Sequence, residues 1–309
     1  MKKDLVSIKD LTGADIAGIL SLTDKLKKNK EKFARTLSGK TLALIFQKPS
    51  NRTRVSFEVA MYQLGGNAIY LSPQEINLGV RESIKDVAKT LSRYVDAIVL
   101  RTFEHKNVVE LAQAAEIPVI NGLSDFSHPC QALADIYTVK EKLKKIKGVT
   151  LAYVGDGNNV CNSLLFACAK AGLNMHVGAP KGYEPDPAVL SEAGAIAMSQ
   201  KNAIKLFNTA EEAVKGADVI YTDVWASMGQ EKEAAEREKI FQGFQVNSGL
   251  LKLSGKNALI MHCLPAHRGK EITDEAMDSK NSVVFQQAEN RLHVQKAIMA
   301  TLLKYKEIK

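Results

Sequence analysis

The sequence predicts an α/β protein made of two doubly wound parallel-sheet domains. Three observations lead there. Apolar runs of strand length alternate with segments of helical periodicity along the whole chain. The alternation breaks near Lys145–Gly148 and then starts again. The strand-like runs, such as TLALIF and VTLAYV, are almost wholly apolar, as strands covered on both faces are.

The elements follow in order. Thr41–Phe46 reads as a buried strand ending in the turn Gln-Lys-Pro-Ser. Phe57–Leu64 has helical spacing and stops at Gly65-Gly66. Asn67–Leu71, Ala97–Arg101 and Pro118–Asn121 read as strands, with helices at Ser83–Arg93, Val108–Ala115 and Leu133–Leu143. In the second half, strands are expected at Val149–Val154, Asn174–Gly178, within Ala217–Asp223, within Ala258–Met261 and at Val283–Phe285. Helices are expected at Cys161–Ala171, Pro187–Ser199 and Arg291–Tyr305.

A chain of 309 residues accommodates two domains and buries enough apolar surface to need no disulfide or structural metal. Its 45% hydrophobic and 25% charged residues are ordinary globular values, so disorder is not expected. Cys130, Cys161, Cys168 and Cys263 match no zinc spacing and read as free thiols in a reducing compartment. The start MKKDLVSIKDLTG has no apolar stretch of signal-peptide length, and no run is long enough to span a bilayer. A cytoplasmic protein is the expectation.

The net charge of +8 admits an anionic partner or a merely solvated surface. Lys140, Lys142, Lys144, Lys145 and Lys147 form the densest cluster, with Leu143 and Ile146 inside it. It reads as the wet face of one amphipathic helix. Nucleic-acid binding would ask for interleaved aromatics, and the cluster has none.

Pro-Ser-Asn-Arg-Thr-Arg at 49–54 lies between a strand and a helical pattern. The first N–H groups of a helix have no intrahelical partner, and the helix dipole adds positive potential. Ser50 and Thr53 add hydroxyls and Arg52 a planar cationic fork, so the turn can bind phosphate. The plainer alternative is a helix start capped by Ser50 or Asn51, with an arginine paired to Glu58.

The flanking sequence decides between them. KPSNRTRVSFEVAMYQLGG resembles the carbamoyl-phosphate loop of the aspartate and ornithine carbamoyltransferases. His128-Pro129-Cys130-Gln131 followed by Ala-Leu-Ala-Asp resembles the family's H-P-x-Q-A-L-x-D signature, and Arg101 lies where the family has a second arginine. The similarity runs from this loop to the final helix. Asn51 replaces the family's usual threonine, where a backbone N–H holds the phosphate. Asn77 replaces the usual glutamine of a loop that, in the family, reaches a neighbouring subunit's site; it keeps the amide but is shorter by a methylene.

Gly155-Asp156-Gly157-Asn158-Asn159-Val160 follows the strand VTLAYV and invites a dinucleotide-binding reading. The third glycine of that fingerprint is Val160, and the next strand ends in Gly-Ala-Pro with no ribose-binding acid, so a nicotinamide enzyme is disfavoured. Asp223-Val-Trp-Ala-Ser227-Met228-Gly and Met261-His-Cys263-Leu264-Pro-Ala-His-Arg-Gly instead resemble the ornithine members. Each has a plain reading as well. Cys263 could be a small core residue, Asp223 a strand-end cap, and Trp225 is core either way.

The resemblance implies transfer of the carbamoyl group of carbamoyl phosphate to the side-chain amine of L-ornithine, giving L-citrulline and phosphate. No metal or organic cofactor is implied. The carbamoyl-phosphate pocket would comprise Ser50, Asn51, Arg52, Thr53, Asn77 and Arg101, with His128, Gln131, Cys263, Leu264 and Arg291. Asn159, Asp223, Ser227 and Met228 would hold ornithine. Asp223 and Cys263 would handle the amine, and Thr53, Arg101 and His128 would stabilise the oxyanion. Residues 1–145, joined by the C-terminal helix 291–309, would form the carbamoyl-phosphate domain and 146–290 the ornithine domain. The active site would lie in the cleft between them and close on binding. A trimer or a multiple of trimers is implied, with a role in arginine biosynthesis. Within the family, the rivals are acceptors such as aspartate, putrescine or an N-acylated ornithine, or a catabolic role.

Overall fold

The computed structural model describes residues 3–227, 229–255 and 257–304. It divides into two compact units. One runs to Tyr137 and resumes at Glu289; the other is Thr138–Ala288.

The first unit opens with α1 (Gly13–Lys28), started by a reciprocal capping box between Thr12 and Asp15. Its buried Ile16, Ile19, Leu20 and Leu26 recur at helical spacing. Strands β1 (Thr41–Phe46), β2 (Asn67–Leu71), β3 (Ala97–Arg101) and β4 (Val119–Leu123) form a parallel sheet of order β2-β1-β3-β4. Between them run α2 (Asn51–Gln63), α3 (Pro73–Ile76), α4 (Ile84–Tyr94) and α5 (His105–Ala114), and α6 (Pro129–Leu143) follows β4.

The second unit is also parallel. Strands β5 (Thr150–Val154), β6 (Asn174–Gly178), β7 (Ile204–Phe207), β8 (Val219–Thr222) and β9 (Leu259–His262) lie in the order β7-β6-β5-β8-β9. Helix α7 (Asn159–Ala171) is buried throughout Val160–Ala169 and ends on Gly172 at φ +86°, a left-handed stop that glycine adopts without strain. Helices α8 (Pro187–Ser199), α9 (Ala210–Val214), α10 (Ala234–Phe241), α11 (Ser248–Leu253) and α12 (Asp274–Met277) complete it, and α13 (Val284–Lys304) closes the chain. Among the described residues, no helix is long and apolar enough to cross a membrane.

Two expectations from the sequence fail. Val283–Phe285 is no strand. Val283 N–H reaches Ile260 O at 3.0 Å, and the chain then turns directly into α13. The apolar triplet is too short to overcome the helix-forming residues that follow. The lysines of 140–147 do not share one helix face either. Helix α6 ends at Leu143, and Lys144 takes a left-handed φ of 58°, which turns Lys145 and Lys147 off the helix.

Candidate functional site

In each unit most of the candidate residues lie at or beyond the carboxyl ends of neighbouring strands, where open α/β sheets place ligands; Arg291 comes instead from α13. In the first unit β1 pairs with both β2 and β3, and Phe46 is in register with Arg101. Arg101 therefore lies beside the chain that leaves β1 for α2. Ser50 caps α2, its Oγ accepting the Thr53 N–H at 3.3 Å. Asn51 is exposed and Arg52 half-buried in the first turn. Thr53 is fully buried, and its Oγ1 accepts from Arg291 Nη2 at 3.0 Å, which leaves the hydroxyl hydrogen as a donor. The other arginine of the motif, Arg54, is committed elsewhere. It pairs with Glu58 at 2.9 Å and lies 3.7 Å over the Tyr70 ring. The capped helix start and the phosphate turn thus coexist in one segment.

Arg101, His128 and Arg291 are buried. Burial, then Arg291 and Arg52, pushes Arg101 down to about 9. Burial and the same cations, with Arg101, hold His128 well below the usual histidine range, so its ring is neutral at physiological pH. Gln131 Nε2 donates to Asp135 at 2.8 Å, while its Oε1 and Arg101 Nε find no partner among the described residues. Converging cations that repel one another, with polar atoms turned inward, suit a small phosphorylated anion.

In the second unit, register places the acceptor residues. Val154 pairs with Thr222 and Thr222 with His262, so Gly155, Asp223 and Cys263 each follow a strand end in one row. Gly157 has no room for a side chain, because a Cβ there would lie 2.3 Å from Pro185 N. That close approach explains a glycine-rich turn without a dinucleotide. Asn158 caps α7, accepting the Val160 and Cys161 N–H groups, and its Nδ2 donates to Asp223 Oδ2 at 2.8 Å. Asp223 Oδ1 accepts the Val224 N–H and the Cys263 thiol, each at 2.8 Å.

Asp223, His262 and Cys263 have ligand-type atoms within 4.8 Å of one another. They are nonetheless wired as hydrogen-bonding pairs. His262 Nδ1 accepts the Leu264 N–H at 2.9 Å and its Nε2 meets Glu271 at 3.1 Å, so neither ring nitrogen offers a lone pair to a metal.

Not every expected residue joins these clusters. Asn159 sits in the first turn of α7, next to Asn158, whose Nδ2 is the donor to Asp223. Ser227 N–H is held by Gln230 Oε1 at 3.0 Å. Asn77 is exposed and caps α3 with a left-handed φ of 38°, a conformation asparagine tolerates better than glutamine does. Met228 lies outside the described residues. Trp225 is core, stacked on Phe241. The structure adds Asn158, and also Arg237, whose Nη1 donates to Trp225 O at 3.0 Å and pairs with Asp156 at 3.2 Å. Asn158 stood inside the glycine turn; nothing in the spacing flagged Arg237.

Two family descriptions match this chain: "Aspartate/ornithine carbamoyltransferase, carbamoyl-P binding domain" over residues 3–141, and the Asp/Orn binding domain of the same family over 147–302. The chain belongs to the aspartate/ornithine carbamoyltransferase family. This carbamoyltransferase is 57% identical to the ornithine carbamoyltransferase of Pyrococcus horikoshii over 97% of its own length and 96% of the relative's. It is 56% identical to the protein of Pyrococcus furiosus named "Ornithine carbamoyltransferase, anabolic", with the same coverage. The solved structure of the Pyrococcus furiosus ornithine carbamoyltransferase superposes with a TM-score of 0.94 at 55% identity, covering 97% of this chain and 96% of that one. The anabolic enzyme of Campylobacter jejuni superposes with a TM-score of 0.92 at 37% identity, covering 98% and 99%.

Proposed function

We propose that this carbamoyltransferase moves the carbamoyl group of carbamoyl phosphate to the side-chain amine of L-ornithine, releasing L-citrulline and phosphate. The observation that carries the reading is the Asp223 carboxylate, held by Asn158 and the Val224 N–H and facing the half-buried Cys263 thiol. A carboxylate beside a thiol can orient an ammonium and accept its proton. A second carboxylate on the acceptor, as in aspartate, would ask for arginine there instead.

The amine starts protonated, with an ordinary pKa of about 10.4, and gives up a proton before attack. Its nitrogen bonds to the carbonyl carbon, forming a tetrahedral intermediate. Thr53, Arg101 and His128 donate to the oxyanion. The carbon–oxygen bond to phosphate then breaks, Arg52 and Arg291 stabilise the departing anion, and that phosphate takes up the second proton from the former amine nitrogen, leaving as hydrogen phosphate. Ser50 and the N–H groups at Asn51 and Arg52 hold phosphate oxygens, and Gln131 Oε1 accepts from the carbamoyl NH2. Leu264 completes the carbamoyl side. Asn159, Ser227 and Met228 bind the amino-acid end of ornithine, and Asn77 belongs to a neighbour's pocket. Residues 1–145 with the last helix form the donor domain and 146–290 the acceptor domain.

The family resemblance supports a trimeric unit and a place in arginine biosynthesis, which the anabolic name of the Pyrococcus furiosus relative also favours. Assay of carbamoyl transfer to ornithine, putrescine, aspartate and N-acetylornithine tests the reading. Ornithine should be preferred by orders of magnitude. Equal or better transfer to any of the others would overturn it.

A further inference from the structure

We propose that Glu271 and His262 are positioning residues that fix the peptide between Cys263 and Leu264 for carbamoyl transfer. This rests on the reaction proposed above. The loop that follows β9 makes an unfavourable turn. Leu264 adopts φ +59°, a left-handed conformation that branched L-residues avoid unless neighbours impose it. The imposing neighbour is His262. Its ring is almost fully buried, and its Nδ1 accepts the Leu264 N–H at 2.9 Å. A planar trans peptide carries its N–H and C=O in opposite directions. Holding the Leu264 N–H on His262 therefore aims the Cys263 carbonyl away from His262 and sets the plane from which the Cys263 side chain departs.

That contact needs one tautomer. Nδ1 must carry no hydrogen, so the hydrogen must sit on Nε2. Nε2 donates to Glu271 Oε1 at 3.1 Å, and the carboxylate, being an acceptor, selects this tautomer. Glu271 is itself 1% exposed and held from several sides. Its Oε1 accepts the His267 N–H, its backbone carbonyl accepts the Val246 N–H at 2.8 Å, and Gly269 N–H closes the turn on Ile272 O at 2.8 Å. Gln245 Nε2 braces the same turn through the carbonyls of Gly269 and Lys270. The strand side is fixed too, because the His262 N–H donates to Gln287 Oε1 at 2.9 Å. A buried glutamate thus acts on the Cys263–Leu264 segment through a histidine whose two ring nitrogens are both engaged within the protein.

The test compares wild type with Glu271→Gln and Glu271→Ala, reading kcat, both KM values, Tm and the 15N signals of the His262 ring. In wild type, the ring should be the Nε2–H tautomer. Glu271→Gln, which keeps an oxygen acceptor, should keep that tautomer and most of the turnover. Glu271→Ala should lose it and lower kcat about 10- to 100-fold, the scale known for removing a carboxylate that orients a functional histidine, with KM for carbamoyl phosphate and ornithine changed far less. An Nδ1–H or doubly protonated His262 in wild type overturns the proposal whatever the variants do, including the case in which Glu271→Ala fails to fold. So does Glu271→Ala with wild-type kcat. Absence of citrulline formation by wild type would instead sink the proposed reaction, and the ring tautomer would still decide the Glu271–His262 relation.

Discussion

The Cys263 thiol donates to Asp223 Oδ1 across 2.8 Å, each residue standing one position beyond the end of its strand. Because Thr222 and His262 are paired in the sheet, this meeting is a product of strand register and not of loop conformation. Asp223 keeps Asn158 and the Val224 N–H as donors without the thiol. Cys263→Ala should therefore shift Tm little. It should lower turnover about 100-fold or more, the scale of a lost acid–base group, and disturb KM for ornithine more than affinity for carbamoyl phosphate. Steady-state kinetics with calorimetry checks this; a variant that unfolds, or keeps normal turnover, returns Cys263 to packing. Alkylation of the native protein should be slow, because a thiolate at Cys263 would face a carboxylate, and burial pushes the Cys130 thiol up to about 12.

Arg52 and Arg291 repel Arg101 in the proposed donor site. Carbamoyl phosphate should raise Tm, with stabilisation of about 2.7 kcal/mol at a hundredfold excess over Kd. Arg101→Gln should leave the ligand-free Tm unchanged or higher, since it removes one of the buried cations, and should abolish most of the ligand-induced rise. Arg52→Ala should weaken binding by roughly 1.5–3 kcal/mol. Thermal scans against ligand concentration measure all three.

Much of this was legible in the sequence because it depends on strand ends. A strand leading into a capped helix start announced the Ser50–Thr53 turn, and the apolar runs located β1, β3, β5 and β6 to the residue or nearly so. Helix starts were read late. Asn51–Ser56 and Pro129–Ala132 lie before the apolar periodicity begins, although Ser50 and Pro129 are good starting residues. Strand β7 is only four residues long and is interrupted by Lys205, exposed at the sheet edge, and so gave no continuous apolar run. The supports of the site, Arg237 on Trp225 O and Glu271 on His262, join residues 12 and 9 positions apart through folded geometry, which no local pattern encodes.

His128 gives the donor site a pH signature. Folded, it binds its proton far more weakly than in the unfolded chain, where its pKa is about 6.5. As pH falls through that range, the unfolded state takes up a proton that the folded state does not, and stability falls. Wild type should lose up to about 1.4 kcal/mol per pH unit relative to His128→Gln on acidification. Calorimetry of both proteins between pH 7 and 5 reads the difference; parallel curves would mean that His128 is solvated and titrates normally.

Asp156 should act with the opposite sign. Burial raises its carboxyl to about 6 despite Arg237, so the folded state holds a proton that the unfolded state has released. Its contribution is complete below the unfolded value and disappears as pH rises through about 6. Relative to Asp156→Asn, wild type should lose on the order of 1 kcal/mol per pH unit between about pH 4 and 6. Paired denaturation curves across that window test it, and a wild type that gains stability there would show Asp156 ionised by its arginine.

In the proposed reaction, the nitrogen that bonds to the carbamoyl carbon is the side-chain amine of ornithine. Incubating the protein with 13C-labelled carbamoyl phosphate and ornithine labelled with 15N at the side-chain nitrogen tests it directly by NMR. One-bond 13C–15N coupling should appear in step with an equal amount of inorganic phosphate. Phosphate release without that coupling, or carbon label bonded to the α-nitrogen, would rule out the side-chain amine as the acceptor.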